Sequence, residues 1–149
     1  KHTGLTMTSG TDIDQLYTVN LNPAANTNWQ NSGINSTDLP TGSYMVQMLI
    51  QQNAGSAQWS ELYTGVMSWH STPTEDGGAN GTNDITSDEI FLHNAGHASH
   101  ADGSDKYNWF LRTKRTANPD SSELKLQFRA SYTNRPAGAV YKLKLRRMI

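Results

Sequence analysis

The last third of the chain alternates apolar and polar residues with a period of two, and few patterns restrict a backbone so tightly. In LKLQFRASY, Leu124, Leu126, Phe128 and Ala130 fall on one side, and Lys125, Gln127 and Arg129 on the other. YKLKLRRMI sets Tyr141, Leu143 and Leu145 against Lys142, Lys144 and Arg146. KYNWFLRTKR sets Tyr107, Trp109 and Leu111 against Asn108, Phe110 and Arg112. Successive side chains of a strand point to opposite faces, so these runs predict antiparallel strands with one covered and one wet face.

The middle of the chain follows the same rule less cleanly. SYMVQMLIQQ places Tyr44, Val46, Met48 and Ile50 on one face, with a partly covered face of Met45, Gln47, Leu49 and Gln51 opposite. SELYTGVMSWH puts Tyr63, Met67 and Trp69 on one side and Leu62, Val66 and His70 on the other. NAGSAQ and NRPAG read as turns, and STPTEDGGANGTNDITS, rich in turn formers, reads as a long exposed and mobile loop. No window carries a helical stripe and no internal repeat is visible. The pattern predicts an all-β domain of about six to eight strands, an antiparallel β-sandwich.

Residues 1–40 are weakly patterned and rich in Asn, Ser, Gly and Pro. They read as an N-terminal linker segment with short strands, leading into a β-sandwich domain over residues 41–149. Trp29 is the large apolar anchor of that segment and is expected to pack. A chain beginning at Lys1 reads as a piece of a longer polypeptide. The apolar Met148 and Ile149 suggest an end that is buried in a sheet or at a subunit contact.

At 149 residues one domain is expected, but only 35% of residues are hydrophobic, lean for a compact globule. Such a chain has a thin core or completes it against copies of itself. With no Cys there are no disulfide staples. No run approaches the ~18 apolar residues of a membrane helix, so membrane insertion is not expected. The net charge of −1 conceals a partition. Residues 1–105 carry Lys1 against eleven acids, and residues 106–149 carry eleven bases against Asp120 and Glu123. Because many of the bases sit at alternate strand positions, they are expected on one solvent-side face, packed beside acidic stretches of this or a neighbouring chain.

Between DEIFLH and KYNWFLRTKR a loop is expected to hold His93, His97 and His100. The spacing would let them share a metal if the loop curls, with Asp88, Glu89, Asp102 or Asp105 adding oxygen ligands. Without a His-Glu-x-x-His helix, hydrogen-bonding histidines are the expectation, and neither metal nor cofactor is predicted. There is no Gly-x-Ser-x-Gly elbow and no Cys nucleophile, and the adjacent Asp88 and Glu89 would point to opposite faces of a strand. An enzyme is therefore not expected. Phosphate-cradling glycine motifs are missing, and nucleic-acid binding through Lys106, Arg112, Lys114 and Arg115 is disfavoured by the acidic first two-thirds. Sugar binding fits better. Aromatic faces stack on pyranose rings, while polar side chains bond the hydroxyls. The candidate carbohydrate-binding residues are Trp59, Tyr63, Trp69, His70, Tyr107, Trp109 and Arg112, although for any one of the aromatics a place in the core is the better expectation, and one or two of the set are expected to be exposed.

The succession DLPTGSYMVQ, YTGVMSW, TSDEIFLHNAGHASH, WFLRTKR, LKLQF and a terminal KLRRMI resembles the C-terminal receptor-binding domain of tailed-bacteriophage tail fibres, with the L-shaped side fibres of siphoviruses nearest. That family's pattern includes Asp-Glu-Ile-x-Leu-His-x-Ala-Gly-His-Ala, a following Leu-Arg-Thr strand and an Arg-Arg-Met-Ile ending, and the likeness spans roughly residues 38–149. It implies the tip of a homotrimeric fibre in the virion, touching a bacterial surface glycan such as lipopolysaccharide O-antigen. The alternatives are a structural trimerisation knob and the carbohydrate-binding module of a secreted enzyme. Some fibre tips hold iron through repeated His-x-His pairs. His93, His97 and His100 depart from that pattern, so no metal is carried over. No match to an autocleaved Ser/Lys chaperone is present.

Overall fold

The computed structural model describes residues 6–7, 16–52, 59–71, 85–86, 89–98, 108–115, 124–133, 135 and 138–149. Ten strands appear in chain order: β1 Thr6–Met7, β2 Leu16–Leu21, β3 Gln30–Asn35, β4 Gly42–Gln52, β5 Trp59–Trp69, β6 Ile85–Thr86, β7 Ile90–Ala98, β8 Trp109–Arg115, β9 Leu124–Ala130 and β10 Ala139–Arg147. Eight are full strands, while β1 and β6 are two-residue pairings. The described residues contain no helix, and so none long and apolar enough to cross a membrane. The all-β, antiparallel expectation holds.

Every pairing is antiparallel, in the order β1-β2-β10-β4-β5-β7-β8-β9-β3, with β6 beside β8. The sheet is continuous and curls until it is nearly closed into a barrel. Strand β7 turns the corner. Its C-terminal part pairs with β5, its N-terminal residues Ile90–Leu92 pair with β8, and the register slips between Leu62↔Gly96 and Tyr63↔Asn94. An extra residue on one strand bends it and tightens the twist, which carries one strand between two walls. A second irregularity lies in β3, between Asn31↔Gln127 and Asn35↔Lys125. Gly33 there has φ 89°, a conformation that costs glycine nothing. The Ser32 hydroxyl mends the interrupted ladder, donating to the Leu126 carbonyl at 2.7 Å and accepting from the Ile34 N–H at 3.1 Å.

Alternation decides the core. Tyr44, Val46, Met48, Ile50, Leu126, Phe128, Leu143 and Leu145 all face inward and are buried. The two walls meet where the Trp109 and Tyr141 rings lie 5.7 Å apart. Residues 16–39 do not behave as a linker. β2 pairs along its length with β10, β3 caps the far end of the sheet beside β9, and Tyr17, Val19, Leu21, Ile34 and Leu39 join the same core. Their alternation is real but runs over only six residues per strand, too short to stand out from the polar background. At the chain end it is the backbone that is held in this single chain. Ile149 is 74% exposed, and its backbone is what holds it: Ser43 N–H donates to the Ile149 carbonyl and Met148 N–H to the Ser43 carbonyl. The long loop expected over residues 71–87 lies outside the described residues apart from Ser71 and β6.

Candidate functional site

Three of the residues expected to bind sugar are core. Tyr63, Trp69 and Trp109 are 0%, 2% and 1% exposed, because each occupies the inward parity of its strand. The Tyr63 hydroxyl donates to the buried Glu61 carboxylate at 2.7 Å. The indole N–H groups of Trp69 and Trp109 find no acceptor among the described residues, and neither ring offers a face to solvent. Trp59 is half-buried against the core, and His70 is exposed just past β5. Tyr107 lies outside the described residues. Among the described candidates, Arg112 is the one that stands on an accessible face where other candidate groups converge.

The outer face of the barrel brings those groups together. The pairings Met45↔Val66, Phe91↔Phe110 and Phe110↔Arg129 continue one another across β4, β5, β7, β8 and β9, and Trp29 extends the row just before β3. Outward parity therefore lines up an apolar segment, two phenyl rings, a guanidinium and an indole. Adjacent strands lie about 4.8 Å apart, so such a row is continuous at side-chain scale. Met45, Val66 and Phe91 are 39%, 62% and 39% exposed.

At the basic end the side chains stack. The Arg112 guanidinium lies 4.3 Å over the Trp29 ring, and Arg129 lies 5.2 Å from Trp29 and 4.3 Å over Phe110. Phe110 meets Phe91 edge-on at 5.3 Å, and Phe91 meets His93 at 4.6 Å. The next row along the strands is polar: Arg112 Nε donates to Gln127 Oε1 at 2.8 Å, and Gln127 Nε2 donates to Asn31 Oδ1 at 2.9 Å. Arg129 Nη2 reaches both Glu89 oxygens, at 3.2 and 3.3 Å. Burial pulls the Arg112 pKa below its ordinary value, Glu89 opposes this, and the like charge of Arg129 adds to it. The guanidinium stays charged, but it is drier than a free arginine and already oriented.

Beside this cluster, Met45, Thr64, Val66, Ile90, Phe91 and His93 line a shallow hollow of about 450 Å³, within the ~300–1,000 Å³ typical of small-molecule sites. Phe91 belongs to both parts. The arrangement offers an apolar floor, ring edges, amides and fixed guanidinium donors within one surface.

The histidines fall differently from expectation. His93 and His97 belong to strand β7 rather than to a loop, because the bulge absorbs the small residues between them, and His100 lies outside the described residues. His93 is exposed beside Phe91. No group of three His, Cys, Asp or Glu side chains that could hold a metal ion occurs among the described residues. Trp29, Phe91, Phe110 and Arg129 are functional candidates that the sequence reading passed over. The signal for three of them was present, since outward aromatics and bases at matched parity on β7, β8 and β9 imply a cross-strand row. The place of Trp29 depends on the pairing of β3 with β9, which local sequence does not state. No protein-family model, curated protein or solved structure matches the chain.

Proposed function

We propose that this domain is a carbohydrate-binding module that recognises a bacterial surface polysaccharide through the outer face of β7, β8 and β9, as the tip of a homotrimeric tailed-phage fibre. On this reading it is a sandwich-like receptor-binding domain carried in the virion, a binder and not an enzyme, with a glycan such as O-antigen as its partner. The observation that carries the reading is the open row of Phe91, Phe110, Arg129 and Trp29 with its amide neighbours Gln127 and Asn31. Ring edges and apolar carbons suit the C–H face of a sugar, while fixed guanidinium and amide donors suit its oxygens. The resemblance of the DEIFLHNAGHA stretch to tail-fibre tips supports the same conclusion, because that stretch contributes Phe91 to the row and Glu89 and His93 beside it. Weak contacts repeated over three subunits would supply avidity.

The test is a whole-cell and glycan-panel binding screen on the chain, with its native mass measured alongside. A trimeric mass is expected, with binding to cells of one serotype that Phe91→Ala and Trp29→Ala abolish while melting stays cooperative. A chain that binds neither cells nor any glycan, whatever its mass, overturns the reading in favour of a structural knob.

A further inference from the structure

Strands β5 and β7 separate beside Gly65. Their ladder ends at Thr64↔His93; from there Leu92, Phe91 and Ile90 pair with β8, while β5 stays on β4 as far as Trp69. A Cβ at Gly65 would lie 2.8 Å from Leu92 Cδ2 and 3.3 Å from the Phe91 carbonyl oxygen, so the strands can part this closely over the core because the position carries no side chain. The parting brings Ile90, of inward parity, into the wall of the hollow beside Met45, Val66 and Phe91. The hollow is thus built by the fold, at the point where the sheet turns its corner.

Two kinds of group meet there. The lining is apolar, with the Thr64 hydroxyl and the His93 imidazole set into it. The backbone supplies the second kind. Peptide groups of an antiparallel strand point alternately to its two neighbours. Beyond Gly65, those of β5 that turn away from β4 have no β7 partner among the described residues. Such an edge offers N–H donors and C=O acceptors beside an apolar wall. A sugar bearing only hydroxyls would bury them against aliphatic carbon, which costs free energy wherever a hydroxyl goes unbonded. A 6-deoxy sugar brings a methyl group but nothing for the strand edge. An acetamido group brings both: a methyl group for the wall, and an amide that can pair with the edge as the peptide of an added strand does.

We propose that the hollow between β5 and β7 is a subsite for the acetamido group of an N-acetylated amino sugar, its methyl against Met45, Val66 and Ile90 and its amide along the β5 edge. The volume of about 450 Å³ is near the lower end of the ~300–1,000 Å³ of small-molecule sites, which suits one substituted sugar rather than a chain. Phe91 belongs to both the hollow and the outer row, so the next sugar of the same glycan would reach the side of Phe110. The inference rests on the carbohydrate reading and narrows it to glycans that carry such a sugar.

Ligand-observed saturation-transfer NMR and affinity titrations on the whole chain test this with the methyl glycosides of N-acetylglucosamine and N-acetylgalactosamine, set against those of glucose, galactose and L-rhamnose. The acetamido sugars are expected to bind about tenfold or more tightly than their hydroxyl parents, the low end of what one added apolar group gains in a pocket. Their acetyl methyl protons should receive the strongest saturation. Val66→Glu, which places a carboxylate in the hollow, should abolish the preference. Val140 is also an exposed outward valine, on β10 and away from the hollow, and Val140→Glu should leave the preference intact. Melting should stay cooperative in both variants, since both side chains are exposed. No binding of the acetamido sugars, equal binding of their hydroxyl parents, tighter binding of the rhamnoside, or equal losses from the two variants overturns the proposal. If whole cells bind and Trp29→Ala abolishes that binding while no acetamido preference exists, the carbohydrate reading stands and the subsite falls. A chain that binds neither cells nor any glycan overturns both.

Discussion

Trp109 and Trp29 lie on opposite sides of the same wall and do opposite work. Trp109 is 1% exposed, with the Phe128 ring 6.4 Å away on the neighbouring strand and Tyr141 5.7 Å away across the interior. Trp29 is half-buried on the outside, and its neighbours are two guanidiniums. The two indoles have the same chemistry; strand parity and cross-strand partners separate them. Trp109 too has a guanidinium near its ring, that of Arg135 at 5.3 Å, so the inward parity of β8 and the rings beside it, not the absence of arginine, place Trp109 in the core. Judged by residue type alone, Trp109 was the better sugar candidate and Trp29 the packing residue. The structure buries Trp109 and leaves Trp29 half-buried between two guanidiniums.

The sharpest way to break this comparison is to truncate the inner ring. Trp109→Ala should cost about 3–5 kcal/mol, as for other buried aromatics, because the rings around it cannot collapse into the void. Urea denaturation measures the loss directly. A cost below about 1 kcal/mol would mean that the interior is not packed around this ring and that the inside–outside distinction is misplaced.

A smaller effect sharpens the inner side of the comparison through pH. Burial, reinforced by the neighbouring Tyr17 phenol and opposed by Arg147, pushes the Tyr44 hydroxyl up to about 12. Tyr17 and Tyr141 are also raised, chiefly by burial. A group whose folded pKa exceeds its unfolded value of ~10 contributes stability that is fully present below pH ~10 and is lost as pH rises toward the folded value. Stability should therefore hold to about pH 10 and fall between about pH 10 and 12. Tyr44→Phe should flatten that fall. At neutral pH it should cost about 1 kcal/mol, for the hydrogen bond the hydroxyl donates to the Pro40 carbonyl at 2.6 Å. An unchanged alkaline limb would remove Tyr44 as its source.

What could be read in advance follows the same division. Faces were legible: the inward sets of β4, β5, β8, β9 and β10 are those their alternation predicts, because side-chain direction is a local property of an extended chain. Partners were not. That β2 lies against β10 and β3 against β9 depends on contacts between residues about a hundred positions apart, and nothing within six residues of Leu16 or Gln30 encodes them. The site suffered accordingly. Arg112 was found because it is a base among aromatics in its own strand, whereas the value of Trp29 and Arg129 arises only when three strands come into register. The histidines were misplaced for a related reason: Ala95 and Gly96 look like loop residues, yet a bulge accommodates them inside β7.

The smallest effect tests the outer side. Trp29→Ala should cost less than about 1 kcal/mol, since an exposed cation–π contact contributes about 0.5–1 kcal/mol. That loss should depend on its guanidinium neighbours. Trp29 touches Arg112 and Arg129, so a double-mutant cycle with Arg129→Ala should return a coupling of a few tenths of a kcal/mol. The same cycle between Trp109 and Arg129 should return none, because the wall of the barrel separates them. A Trp29 loss as large as that of Trp109, with no coupling to Arg129, would make Trp29 a core residue. The outer row would then end at Arg129, which stays stacked on Phe110.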